Sequence, residues 1–122
     1  MENRAIVELH NGLFFIHGDE EQLNIPEIGD EQTKPIRSEN CIVVFAQHAV
    51  DGVTEIILSS DIDNIDLHEI FSDKFPFKDK VIVSDPDGNS ILELDVNGNK
   101  YQKVKIYADD VEYPTKIRIL VG

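Results

Sequence analysis

The feature that most constrains the fold is the run Cys41-Ile42-Val43-Val44-Phe45-Ala46, the longest uninterrupted apolar stretch in the chain. β-Branched and aromatic residues dominate it, which favours a strand buried on both faces. The turn residues Asp51 and Gly52 follow, and then a second strand-like run at 53–59. We therefore predict a β-hairpin at the centre of the fold.

Alternation of apolar and polar residues continues on both sides of this hairpin. Residues 4–10 alternate and lead into Asn11-Gly12, a strong hairpin signal, before a returning strand at 13–17. Four further strands are expected, at 81–84, 91–95, 100–108 and 115–121. The pattern predicts an all-β fold, a single-domain antiparallel β-sandwich over residues 1–122 with seven to nine strands and at most one short helix.

The strands at 91–95 and 100–108 are expected to pair around Asn97-Gly98. A two-residue turn would place apolar and charged residues on the same face, whereas a three-residue loop with a bulge keeps the apolar residues together. We favour the bulged loop. It sets two acids opposite two lysines across the hairpin, namely Glu93, Asp95, Lys103 and Lys105.

Two segments interrupt the alternation. In residues 60–78 the spacing permits one or two helical turns, with Asp63 or Asn64 as the N-cap. Residues 18–40, the acidic loop, form a long connection without clear period, in which 23–25 could form a short edge strand. Structureless connections of this length are uncommon in compact domains and tend to be functional or disordered.

The net charge of −13 is distributed unevenly along the chain. Residues 1–73 hold sixteen acids and three bases, a balance of −13, whereas residues 74–122 hold eight of each and balance to zero. The negative electrostatic field of residues 1–73 opposes direct binding of nucleic acid, because phosphates would be repelled. It favours a basic partner. The alternative is that the charge serves only solubility.

The chain is long enough for one domain with its own core. Its one cysteine, Cys41, lies inside the apolar run, which suits a packing role in a reducing compartment. Residues 1–5 lack the features of a secretory signal peptide, and no apolar stretch approaches the length needed to span a membrane. We therefore expect a cytoplasmic protein.

The motifs of the common enzyme classes are missing from the sequence. There is no GxSxG elbow, no GxxxxGK[ST] loop and no GxGxxG turn, and no pair of the four histidines has ligand spacing such as HExxH. The histidines are expected to be ordinary surface or strand-end residues. We expect a protein that is not an enzyme and needs no cofactor.

Two acidic turns are candidates for calcium loops, because calcium requires several oxygen ligands that converge from one loop. Residues 85–89 have glycine at the fourth position instead of the sixth, and residues 61–66 have no glycine. Neither is an EF-hand. A composite site is the alternative, in which turns from different hairpins pool the carboxylates of Asp61, Asp63, Asp85 and Asp87.

The order of elements in the second half resembles the competence protein J (ComJ-like) family. The resemblance covers about residues 75–120 and rests on Phe75-Pro76-Phe77, Val81-Ile82-Val83-Ser84, Leu92-Glu93-Leu94, Gly98, Tyr101 and a closing strand from Tyr113 to Leu120; residues 43–59 match more loosely. It implies a small cytosolic bacterial β-sandwich of a family whose namesake inhibits a competence nuclease. It implies no site residues.

These observations lead to one functional hypothesis and two alternatives. We expect an inhibitor or immunity-type protein that masks a basic nuclease or toxin. Its predicted partner-binding residues lie in the acidic loop: Asp19, Glu20, Glu21, Glu27, Asp30 and Glu31. The alternatives are a β-sandwich module that binds a ligand or calcium through pooled carboxylates, and a structural adaptor; the loop itself could also merely solvate the surface.

Overall fold

The computed structural model describes residues 2–20, 22–30, 33–60, 66–96 and 101–122. These residues form ten strands and one 3-10 turn, Ala49–Asp51. The strands are β1 (Glu2–Val7), β2 (Leu13–His17), β3 (Ile36–Arg37), β4 (Cys41–Phe45), β5 (Thr54–Ser59), β6 (His68–Phe75), β7 (Lys80–Ser84), β8 (Ser90–Asp95), β9 (Gln102–Ala108) and β10 (Lys116–Val121). No helix in this part of the chain is long and apolar enough to cross a membrane.

The strands form two five-stranded sheets that pack face to face. Sheet 1 has the order β1-β5-β10-β9-β6, and sheet 2 has the order β3-β4-β2-β7-β8. Neighbouring strands are antiparallel except β5 and β10, which are parallel. The predicted all-β sandwich is confirmed. The strand count exceeds the expected range because β3 and β6 form where a loop and a helix were predicted.

The core lies between the sheets and takes alternate residues from each strand, as the pleat requires. Sheet 2 contributes Phe14, Ile16, Ile42, Val44, Val81, Val83 and Leu94; sheet 1 contributes Ile56, Leu58, Val104, Ile106, Ile117, Ile119 and Val121. The predicted inward faces of the strands around Leu94, Val104 and Ile106 are therefore confirmed. Cys41 is fully buried, and that burial raises the pKa of its thiol to about 11, which agrees with a packing role.

The predicted hairpins that join β1 to β2 and β4 to β5 are wrong, because each of these connections carries the chain from one sheet to the other. β1 pairs with β5 in sheet 1, whereas β2 pairs with β4 in sheet 2. Gly12 does form a turn, with φ of +66° and its amide donating to the carbonyl of Leu9. Leu9 is buried in the core, so the turn becomes a corner between the sheets.

The β8–β9 hairpin is also wrong, since β8 lies in sheet 2 and β9 in sheet 1; its turn residues Asn97-Gly98 lie outside the described residues. Lys105 consequently pairs with Glu69 on β6, at 3.9 Å, and Glu93 pairs with Lys80, at 4.0 Å. A strand shows the same alternation of apolar and polar residues in either sheet, so this pattern does not predict which sheet the strand joins.

The helix predicted within 60–78 is wrong from His68 onward, where β6 pairs with β9 along its whole length. A bulge between Glu69 and Phe71 interrupts the register. The proposed N-caps, Asp63 and Asn64, lie outside the described residues. Residues 23–25 form no strand; the short strand within the acidic loop is β3.

Candidate partner-binding groove

The acidic loop leaves sheet 2 and returns to it at the same point, because His17 and Cys41 are register partners on β2 and β4. Two asparagines hold its two ends together. The backbone amide of Asn24 donates to Oδ1 of Asn40 at 2.8 Å, and the side-chain amide of Asn40 donates to the carbonyl of Gln22 at 3.0 Å. These bonds fix the base of the loop against the sheet.

The outer face of sheet 2 is apolar where an exposed sheet would be polar. Phe15, Val43 and Ile82 alternate with core residues and so point away from the core. Leu23 and Ile25 of the acidic loop stand over this face, and they line a groove of about 540 Å³ together with Phe15 and Ile82. This volume lies in the range of about 300 to 1,000 Å³ that is typical of ligand sites.

A buried histidine and serine form one wall of the groove. Nδ1 of His17 lies 2.6 Å from the carbonyl oxygen of Gly18, so Nδ1 carries the proton, since a carbonyl can only accept. In the neutral ring, Nε2 then accepts from the Ser84 hydroxyl at 2.8 Å. The pair ties the start of the loop to β7. His17 is the last residue of β2, which agrees with the prediction of a strand-end histidine, but it is buried, with 9% of its surface exposed.

Three carboxylates line the groove: Glu20, Asp85 and Glu93. Oε2 of Glu20 is buried and has no hydrogen-bond partner among the described residues. Its carboxylate packs over Gly18, where an added Cβ would lie 3.2 Å from either oxygen. No lysine or arginine of the described chain lines the groove.

The carboxylate of Asp85 accepts hydrogen bonds from other residues of its own turn, 85–89. Its Oδ1 accepts from the amides of Asp87 (3.0 Å) and Asn89 (2.9 Å), and its Oδ2 accepts from the side chain of Asn89 (3.1 Å). Burial raises the pKa of Asp85, but these hydrogen bonds outweigh it and hold the pKa below its usual value. Asp85 therefore contributes negative charge at the rim and shapes the turn.

The other predicted partner-binding residues are distributed along the acidic loop. Asp19, Glu27 and Asp30 are exposed, and Glu20 is the one described member of the set that lines the groove. Glu21 and Glu31 lie outside the described residues. None of Asp19, Glu20, Glu27 and Asp30 has an ion-pair partner in the described part of the chain.

The carboxylates of the calcium alternative are only partly described. Asp85 and Asp87 line a small cleft of about 220 Å³ beside Glu8 and His10. Asp61 and Asp63 lie outside the described residues. Among the residues that are described, no group of three or more His, Cys, Asp or Glu side chains could hold a metal ion.

Sequence reasoning missed the floor and wall of the groove: Phe15, His17, Ile82 and Ser84. One signal was present. The runs 13–16 and 81–83 are apolar at successive positions, which is typical of strands covered on both faces. The apolar residues Leu23 and Ile25 follow β2 in the acidic loop, so the sequence also contained residues that could cover the outer face of this strand.

The fold places the chain in the class of β-sandwich proteins built from two mixed or antiparallel five-stranded sheets. No protein-family model matches the sequence, and no curated protein matches it significantly. The structure is similar to the crystal structure of ComJ from Bacillus subtilis, described as the inhibitor of the DNA degrading activity of NucA.

The likeness to ComJ has a TM-score of 0.71 and covers 98% of this chain and 93% of that chain, with 12% sequence identity. It therefore extends far beyond residues 75–120, on which the resemblance seen in the sequence rested. The predicted resemblance is confirmed at the level of the fold, which is what a likeness at this identity shows.

Proposed function

We propose that this chain is a protein-binding inhibitor of a nuclease, with no catalytic role of its own. The observation that carries the proposal is the fold shared with ComJ over 98% of the chain. The unequal charge supports it, because the excess of acids lies in residues 1–73. A surface of carboxylates can occupy the arginines and lysines with which a nuclease holds phosphates.

The partner in this proposal is a basic nuclease, and the contact surface is the acidic loop with the groove beneath it. Asp19, Glu27 and Asp30, which have no ion-pair partner within the described part of the chain, are free to exchange water for guanidinium or ammonium groups. Such pairing steers encounter and weakens as salt rises, because exposed charges are screened beyond a Debye length of about 8 Å at physiological ionic strength.

The test is an inhibition titration. The purified chain is added to a nuclease encoded beside its own reading frame, and in parallel to NucA of Bacillus subtilis, and degradation of plasmid DNA is followed. We expect inhibition of at least one of them to be complete near one chain per nuclease, and to weaken as salt is raised.

The controls separate binding from a general effect of negative charge. The heat-unfolded chain and an unrelated protein of equal net charge are titrated in the same way, since either would also sequester magnesium or a basic enzyme weakly. Inhibition by these controls at the same ratio, or no inhibition by the folded chain at low salt, would contradict the proposal.

A further inference from the structure

We infer that the groove beneath the acidic loop receives an arginine side chain of the partner, with the guanidinium against Glu20 and the aliphatic stem along Phe15 and Ile82. The source of the arginine rests on the proposed function, in which the partner is a nuclease. The chemistry of the groove rests on the observations that follow.

The floor of the groove fits the stem of a long cationic side chain. Phe15 and Ile82 are half-buried on the outer face of sheet 2, and Leu23 forms the facing wall. Arginine and lysine bury their methylene groups along apolar surface while the charged end seeks polar partners. The volume of about 540 Å³ leaves room for such a side chain and the backbone that bears it.

The charged end has a designated acceptor. Oε2 of Glu20 is removed from solvent and accepts no hydrogen bond from the described residues. A buried polar atom without a partner is destabilising, and more so when it carries charge. When the Glu20 side chain turns toward the groove, an N–H donor with positive charge satisfies both requirements at once. Glu93 lies at the rim, and its pair with Lys80 is long, at 4.0 Å, with both side chains nearly half exposed.

Arginine suits the groove better than lysine does. A planar guanidinium can donate two parallel bonds to one carboxylate and stack on an aromatic ring, whereas an ammonium group is a hydrated point charge. The groove is lined both by Glu20, which supplies a carboxylate, and by Phe15, which supplies an aromatic ring. The same chain already holds an arginine in this way, since the guanidinium of Arg37 lies 4.7 Å from the ring centre of Phe75.

The groove is also built in advance. The His17–Ser84 bond fixes one wall, and the hydrogen bonds of Asn40 with Asn24 and Gln22 fix the base of the loop that forms the other. A preformed site loses less conformational freedom on binding, which favours affinity.

The first experiment uses short blocked peptides, acetyl-Gly-Gly-X-Gly-Gly-amide, in which X is arginine, lysine or uncharged citrulline. They are titrated into the chain labelled on isoleucine and leucine methyl groups, and the methyl spectrum is recorded. We expect the arginine peptide to shift the signals of Ile82, Ile25 and Leu23, the lysine peptide to bind about fivefold more weakly, and the citrulline peptide to have no effect.

Two variants and one matched control locate the binding. Glu20→Gln removes the charge, and Gly18→Ala crowds the Glu20 carboxylate while leaving its charge in place. Each should weaken the arginine peptide about fivefold or more. Glu112→Gln changes the net charge by the same amount at an exposed position outside the loop and the groove, and should leave binding unchanged. Melting temperatures verify that all three variants remain folded.

Three results would overturn the inference: no shift with the arginine peptide, shifts confined to other methyl groups, or equal weakening by Glu20→Gln and Glu112→Gln. The inhibition titration keeps this inference separate from the proposed function. If the chain inhibits a nuclease and Glu20→Gln does not reduce that inhibition, the inference about arginine binding in the groove is wrong and the proposed function stands. If the arginine peptide binds but no nuclease is inhibited, the proposed function is wrong and the inference about arginine binding in the groove stands.

Discussion

Arg37 joins the open edges of the two sheets, because β3 is an edge of sheet 2 and β6 is an edge of sheet 1. Its Nη1 donates to Oδ2 of Asp73 at 3.0 Å and to the carbonyl of Lys74 at 2.6 Å, and its guanidinium covers Phe75. Uncovered edge strands invite pairing with other chains. One residue therefore closes this side of the sandwich.

Arg37→Ala should lower the free energy of unfolding by about 1 to 3 kcal/mol, because it removes hydrogen bonds of a charged group and a cation–π contact that are partly shielded from water. Urea denaturation at pH 7 measures the change. Arg4→Ala is the matched control: Arg4 is 55% exposed and pairs loosely with Glu55 and Glu2, at 3.6 and 3.9 Å. Its loss should stay near or below about 0.5 kcal/mol. Equal losses in the two variants would contradict the role given to Arg37.

The carboxylate of Asp109 joins the two ends of the connection between β9 and β10. Asp109 accepts from the amides of Thr115 and Lys116, at 2.9 and 3.1 Å, and from the hydroxyl of Thr115 at 2.5 Å. Burial raises the pKa of Asp109, but these hydrogen bonds outweigh it, so the pKa lies below its ordinary value of 3.8.

Asp109→Ala should therefore destabilise the fold in a pH-dependent way. A carboxyl whose pKa is lowered by folding stabilises the folded state above its ordinary pKa, and the contribution disappears as pH falls through the folded-state value. We expect a loss of about 1 to 2 kcal/mol that is constant between about pH 5 and 7 and shrinks below about pH 4.

Urea denaturation across this pH range provides the test. Asp95→Ala is the control, since Asp95 is exposed and its carboxylate accepts no hydrogen bond from the described residues. A loss at Asp109 that did not vary with pH, or one matched by Asp95→Ala, would contradict the account.

The strands and their buried faces could be predicted from sequence, because alternation directly records which side of a strand is covered. Leu94, Val104 and Ile106 are buried as expected. The pairing of strands could not be predicted, since a turn such as Asn11-Gly12 serves a hairpin and a corner between sheets equally well. In the structure, Leu9 packs into the core where the chain passes from sheet 1 to sheet 2, and this burial accompanies the corner rather than a hairpin.

The candidate site was predictable only in part, for a similar reason. Clustered acids identified the loop, but an acid's sequence position does not say whether it lies in solvent, as Glu27 does, or over an apolar face, as Glu20 does. The groove depends on which surface the loop covers. That surface is assembled from β2 and β7, which are far apart in the chain.

The two outer faces of the sandwich differ in how their charges are paired. On sheet 1, four bases form ion pairs with neighbouring acids, among them Arg118–Glu2 at 3.0 Å and Lys116–Glu55 at 3.7 Å. On the side of sheet 2, the loop acids Asp19, Glu27 and Asp30 are exposed and have no such partners within the described residues. The described acids that lack ion pairs therefore include a group on the side of sheet 2, and under the proposed function this group would orient a basic partner as it approaches.

This asymmetry predicts the behaviour of two variants with the same net charge. In the loop variant, five acids are replaced by Asn or Gln, namely Asp19, Glu20, Glu21, Asp30 and Glu31. In the control variant, five exposed acids elsewhere are replaced in the same way, namely Asp51, Asp79, Asp87, Asp95 and Glu112. Both variants should keep a melting temperature close to that of the wild type. The described acids other than Glu20 are exposed, and exposed charges contribute little to folding. Glu20 makes no hydrogen bond or ion pair within the described residues that its replacement would remove.

The association rate with the inhibited nuclease should separate them. If the loop steers the encounter, the loop variant should associate about tenfold more slowly at low salt, whereas the control variant should change much less, because its charges do not face the partner. Stopped-flow mixing over a series of salt concentrations measures both rates. The difference should fade as salt rises and shortens the range of the field. Equal slowing of the two variants would mean that net charge alone acts, and an unchanged rate for the loop variant at low salt would place the contact elsewhere on the molecule.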